Sequence, residues 1–153
     1  MLRIAVAAFH LLALGLGMGA VLTRGNVLRE TVTRESLHRA FRADTLWGVA
    51  AALWLGTGLW RLLAGLDKPM SYYLANHLFA AKMGLFAAIV LLEIWPMVML
   101  VRWRLELRRG QPAGEVAAPA SAKRIATISH VQALFVAVMI FVAVAMARGY
   151  GTT

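Results

Sequence analysis

The chain contains no cysteine, and only 15% of its 153 residues are charged. The first absence excludes disulfides, thiolate metal sites and thiol nucleophiles together. The second sets it apart from soluble domains, which average about 25% charged residues. Other signatures are missing as well. There is no nucleophile elbow, no zinc-ligand spacing and no phosphate loop. Gly15, Gly17 and Gly19 fall close together, but no strand precedes them and their spacing does not fit a dinucleotide fingerprint. Hydrolase and nucleotide-dependent chemistry therefore have no support.

What is present is apolar: 61% of residues are hydrophobic and the mean hydropathy is +0.70. A membrane crossing takes about 20 residues of helix, and the sequence offers four such runs. They cover residues 4–23, 45–66, 72–101 and 125–147. A spanning helix satisfies its own backbone hydrogen bonds, which is why apolar runs of this length become helices in lipid. The first run exceeds the usual 7–15-residue apolar region of a signal peptide, so it reads as a span. The expected fold is all-α, an integral membrane four-helix bundle formed by one membrane domain, residues 1–153.

The formal net charge is +9, and its distribution carries more information than its size. Arg24, Arg29, Arg34, Arg39 and Arg42 follow the first run. Arg102, Arg104, Arg108, Arg109, Lys123 and Arg124 follow the third. The second connection has only Arg61 and Lys68. The bias toward positive cytoplasmic loops then puts both basic loops inside and both termini outside, as in a bacterial inner membrane. Within "NVLRETVTRESLHRAFRAD", Val27, Leu28, Val32, Leu37 and Phe41 approximate one helical face. This predicts an amphipathic helix in the first loop, lying on the inner leaflet and attracted to anionic lipid. RNA binding lacks the interleaved aromatic and basic residues it needs, so nucleic acid is not an expected partner. "RRGQPAGEVAAPASAK" reads as a flexible tether.

Packing signals come next. Gly15 and Gly19 make a GxxxG spacing, and Gly48, Ala52 and Gly56 repeat small residues on the second run. They are expected to let helices approach closely. Trp47, Trp60, Tyr72, Tyr73, Trp95, Trp103 and Tyr150 mostly lie near helix ends, the pattern of an aromatic belt.

The residues of chemical interest are those that lipid should exclude. A charged side chain at the centre of a span costs about 2.5–3.5 kcal/mol on insertion scales. At about 1.5 Å rise per residue, His10 and Lys82 each lie about 9 Å in from the same end and share a layer. Glu93 and His130 share a second layer toward the basic end, with Arg24 and Asp44 at its rim. His10 and His130 differ in depth by roughly 13 Å, too far to ligate one haem jointly. His10 is either a haem ligand or the donor of one interhelical hydrogen bond. Lys82 either anchors a cofactor, with His77 as the other candidate for the second coordination position, or snorkels outward. Glu93 and His130 form either a proton-moving site or a structural hydrogen-bonded pair.

"FHLLALGLGMGAVLTR", "WGVAAALWLGTGLWR", "YYLANHLFAAKMGLF" and "MARGYG" together resemble a family of small four-helix bacterial membrane proteins of unknown function. That family is distantly similar to the HemJ-type protoporphyrinogen oxidases and to CopD-like membrane proteins. The HemJ-type likeness is carried by His10 and Lys82, with Arg24 a looser match. It implies haem b bound through His10, with Lys82 taking part in tetrapyrrole oxidation. The chain departs from that type in placing the glycine-rich "GLGMGA" where aromatic residues follow the histidine.

Three functions emerge. The first is a haem-b-binding membrane redox protein acting on a tetrapyrrole or quinol, with Lys82, Glu93 and His130 as catalytic residues. His10, His77, Lys82 and Arg24 would hold the cofactor. Copper handling is the second, through thioethers such as Met97 and Met99. The third is a non-enzymatic subunit or assembly factor, working with a membrane partner or as a homodimer.

Overall fold

The computed structural model describes residues 1–65 and 70–151. Among them are six helices: α1 (Leu2–Val27), α2 (Arg34–Leu63), α3 (Met70–Leu74), α4 (His77–Arg108), α5 (Ala113–Val116) and α6 (Pro119–Ala147). Helices α1, α2, α4 and α6 are each long and apolar enough to cross a membrane. They run alternately up and down. Helix α1 packs against α2 and α6, and α4 packs against α6, while α2 and α4 touch only sparsely. The bundle thus has a basic end, where α1 meets α2 and α4 leads to α6, and a terminal end carrying both chain ends. Large apolar side chains such as Phe9, Leu12, Leu91 and Phe141 are left exposed on the helix sides, as a lipid-facing surface requires.

Local chemistry sets the helix ends. The Thr33 hydroxyl accepts from the Ser36 N–H and the Ser36 hydroxyl accepts from the Thr33 N–H, a reciprocal cap that starts α2. The Asn76 carboxamide oxygen accepts from the Leu78 N–H and starts α4. Asn76 itself is extended, so the expected run 72–101 is divided into α3 and α4. Gly65 and Gly110, one residue beyond the caps of α2 and α4, have φ of +57° and +86°. Left-handed backbone of this kind terminates helices, and glycine adopts it without a Cβ penalty. The last residue of the expected span 45–66, and Lys68, lie outside the described residues.

The amphipathic segment of the first loop is helical, but it is not a separate surface helix. Arg34 to Asp44 form the opening turns of α2 itself. Leu37 and Phe41 are buried with Val27, Leu28, Leu100, Trp103 and Leu107, so the apolar face meets protein rather than the leaflet. The second basic loop is likewise less free than a tether. It contains α5, and Val116 and Ala117 are buried in the same cluster. Two tryptophans assigned to an aromatic belt, Trp47 and Trp103, also belong to the core.

The glycines redistribute in a similar way. A Cβ built at Gly15, Gly19, Gly48 or Gly56 meets nothing within 4 Å, so these residues do not close any helix pair within the chain. Within the spanning helices, Gly17, Gly25 and Gly58 are the close-approach positions. Their Cβ atoms would meet Trp47 at 3.2 Å, His130 at 2.6 Å and His10 at 3.1 Å. Spacing alone does not tell which face of a helix is inside.

Candidate functional site

Two polar layers cross the bundle, and they differ in how fully they are satisfied. The layer toward the basic end centres on Arg24, in the last turn of α1 and 0% exposed. Its Nε donates to Ser129 Oγ at 3.0 Å. Nη1 donates to Asp44 Oδ1 at 2.8 Å and to Glu93 Oε1 at 2.6 Å. Nη2 donates to Glu93 Oε2 and to Gln132 Oε1, both at 2.8 Å. Every nitrogen of the guanidinium is used, on partners from α2, α4 and α6. The bidentate fork to Glu93 is the geometry for which arginine is suited and lysine is not.

The partners are themselves held. Gln132 donates from Nε2 to Glu93 Oε2 at 2.8 Å and to the Ile89 carbonyl at 3.2 Å. The Ser129 hydroxyl donates to the Ile125 carbonyl. Arg104 Nη2 lies 4.0 Å from the second oxygen of Asp44 and donates to the Phe41 carbonyl at 3.1 Å. Two guanidiniums face two carboxylates, so their formal charges balance; Arg24 is saturated, whereas the buried Nε of Arg104 has no partner among the described residues. The chemistry of the layer is that of a clamp joining the four spanning helices.

Arg24 was expected at the rim of this layer and is its hub. Glu93 and His130 were expected to meet and do not. Glu93 directs both oxygens to Arg24 and one of them also to Gln132. The His130 ring bonds instead to the Ala126 carbonyl at 2.6 Å and to Asn26 Oδ1 at 3.0 Å, with its edge against Gly25. The two residues share a depth but not a side of the bundle. Ser129 and Gln132 were missed by sequence reasoning. Their signal was present, since both are polar side chains within a largely apolar run, three positions apart on one helix face.

The layer toward the terminal end brings together His10, Trp54, Thr57 and Lys82. The buried His10 imidazole stacks on Trp54, with ring centroids 5.3 Å apart and an interplanar angle of 21°. The Lys82 ammonium lies 5.9 Å from the centre of the same indole. The predicted sharing of a layer by His10 and Lys82 therefore holds, with Trp54 as their common neighbour. His10 Nδ1 is 2.9 Å from Thr57 Oγ1. The Thr57 hydroxyl hydrogen is directed to the Leu53 and Trp54 carbonyls of its own helix, so Nδ1 is the donor and Nε2 becomes the basic nitrogen. This interhelical bond is one of the two roles expected of His10.

This layer contains donors without acceptors. Trp54 Nε1 is buried and has no hydrogen-bond partner among the described residues. Among the described residues no carboxylate pairs with Lys82. Phe86 closes the layer from α4, 5.4 Å from the indole. His77, the first residue of α4, is exposed at the terminal end and its N–H donates to the Gly151 carbonyl. Among the described residues no three histidine or carboxylate side chains converge to hold a metal ion. Met97 is 50% exposed whereas Met99 packs on the core, so these two thioethers do not converge.

Over residues 2–151 the chain matches the model of a family described as predicted membrane protein (DUF2214). No curated protein matches the chain, and no solved structure does. The likeness to HemJ-type and CopD-like proteins accordingly rests on the residues quoted for it.

Proposed function

Taking as premise that the chain belongs to this family of predicted membrane proteins, we propose that it is a haem-b-binding membrane redox protein, with the cofactor in the layer of His10, Trp54 and Lys82. The observation that carries the reading is the buried indole N–H of Trp54, which has no acceptor among the described residues, beside an ammonium that has no carboxylate among them. Buried polar groups are normally paired, and an orphan calls for a missing partner. A tetrapyrrole supplies carboxylates for these two donors, an apolar ring for a lipid-bounded site, and iron for an imidazole.

The donor set fits that group. His10 is the candidate iron ligand, and Thr57 sets its tautomer, as the outer partner of a ligating histidine does. Lys82 and Trp54 would hold a carboxylate of that group, whereas His77 is exposed at the start of α4, outside this layer. Haem, when bound, supplies one-electron chemistry, with a quinol or another tetrapyrrole as the donor class. Helices α2 and α4 meet at this end through Trp54 and Phe86. Arg24 and Glu93 hold the bundle in this reading, and no proton path runs through them. The basic end faces the cytoplasm, following the distribution of Arg and Lys.

The test is the visible spectrum of the chain purified with haem supplied during expression. A Soret band, with α and β bands that sharpen on dithionite reduction, is expected. His10→Ala abolishes it in a protein that still elutes as the parent does. Lys82→Met and Trp54→Phe weaken haem retention. A featureless spectrum from folded parent protein overturns the reading.

One observation favours a second reading, a non-enzymatic subunit of a membrane complex: the Arg24 guanidinium is saturated by side chains of three other helices and serves to hold them together. Colourless protein that copurifies with a stoichiometric membrane partner supports it.

A further inference from the structure

The sparse contact between α2 and α4 leaves an open groove of about 530 Å³ at the basic end. It is lined by arginines from both walls, Arg34 and Arg42 from α2 and Arg104 and Arg108 from α4, and none of its lining residues is acidic. Nearer the membrane centre the α2 wall turns apolar, with Leu46 and Val49. The basic stretch from Arg34 to Arg42 rises about 12 Å along α2 and the stretch from Arg42 to Val49 about 10 Å more. Positive charge is thus graded into apolar surface along one face, in the order in which a lipid presents its phosphate and its chain.

We propose that this groove binds one anionic phospholipid of the surrounding bilayer, its phosphate held by Arg34, Arg42, Arg104 and Arg108 and an acyl chain lying along Leu46 and Val49. Guanidinium groups recognise phosphate through paired N–H donors, and basic pockets between spanning helices are a known form of headgroup site. The volume falls within the range of small-molecule sites, about 300–1,000 Å³. Arg104 is only partly engaged by the protein. Its Nη2 donates to the Phe41 carbonyl and the Thr45 hydroxyl and lies 4.0 Å from Asp44, whereas among the described residues its Nη1 has no acceptor. Unlike the saturated Arg24, it has a donor left for a ligand. A lipid is favoured over a soluble anion because the apolar wall continues where a free phosphate ends.

The probes are phosphatidylglycerol and phosphatidylcholine, each added to delipidated full-length protein in mild detergent and counted by native mass spectrometry. One phosphatidylglycerol per chain is expected to be retained in preference to phosphatidylcholine. The exposed pair Arg42→Gln and Arg108→Gln lowers phosphatidylglycerol affinity about tenfold and leaves phosphatidylcholine unchanged. Val49→Trp, which fills the apolar wall and removes no charge, weakens retention of phosphatidylglycerol as well. Equal retention of the two lipids, or phosphatidylglycerol binding unchanged in both variants, overturns the proposal. Displacement of the lipid by millimolar inorganic phosphate overturns it too, because the groove is then a site for a soluble anion. The visible spectrum is the same in these variants as in the parent, which separates this result from that of the haem reading.

Discussion

Replacing Arg24 with methionine removes the hub of the basic-end layer while keeping a long apolar stem in its place. Five hydrogen bonds to four side chains are lost at once. Glu93 keeps Gln132 and Asp44 keeps Arg104 at 4.0 Å, so the two carboxylates are left under-paired but not isolated. Side-chain hydrogen bonds between membrane helices average about 0.6 kcal/mol and reach about 1.7, so five sum to about 3–8 kcal/mol. Breaking a buried ion pair from one side costs about 3–5 kcal/mol, and the two routes overlap there. Arg24→Met is therefore expected to destabilise by about 3–5 kcal/mol. Arg24→Lys keeps the charge but has three donors for five bonds, so it costs about 1–3 kcal/mol. The assay is reversible unfolding in mixed micelles titrated with dodecyl sulfate, run as a double-mutant cycle with Glu93→Gln. Neutralising Glu93 in the Arg24→Met background should recover at least about 1 kcal/mol relative to additivity. A strictly additive cycle, or an Arg24→Met protein within about 1 kcal/mol of the parent, refutes the clamp.

Gly25→Ala drives a Cβ to 2.6 Å from the His130 ring and should destabilise by about 1–3 kcal/mol in the same titration. Gly15→Ala meets nothing within 4 Å, so it should be neutral or stabilising by up to about 1 kcal/mol; equal losses at the two positions contradict this assignment of helix faces. Thr33→Ala removes the hydroxyl that accepts from the Ser36 N–H, one half of the reciprocal cap of α2, and should cost about 1 kcal/mol, with faster amide exchange confined to the first turn. Asn76→Ala removes both the cap on Leu78 and the bond to the Tyr150 carbonyl. Limited proteolysis should then release the end of the chain faster, at a stability cost of about 1–2 kcal/mol.

Depth was legible in the sequence and direction around the helix axis was not. A fixed rise per residue turns position in a run into height, so His10 and Lys82 were correctly placed in one layer, and both meet Trp54. The same counting placed Glu93 and His130 at one height, but they face different neighbours. In a span apolar on all sides no hydrophobic stripe marks the inner face, because lipid and protein interior ask for the same side chains. For that reason the glycine spacing pointed to Gly15 and Gly19, while Gly17, Gly25 and Gly58 make the close approaches. The amphipathic pattern of Leu37 and Phe41 was legible, but a greasy leaflet and a greasy helix read alike from one side. Arg24, placed near the end of its run, looked interfacial until three other helices surrounded it.

By itself the sequence determined four apolar helices, the end of the bundle that carries the basic charge, and the heights of the ionisable residues. Length, composition and helical rise are local quantities, and they settle such questions without reference to any partner. Only the tertiary structure decided that Arg24 is saturated, that Trp54 and Arg104 are left with unused donors, and that α2 and α4 stand apart to form a groove. These are relations between faces of different helices, and a hydrogen bond depends on where both of its ends point.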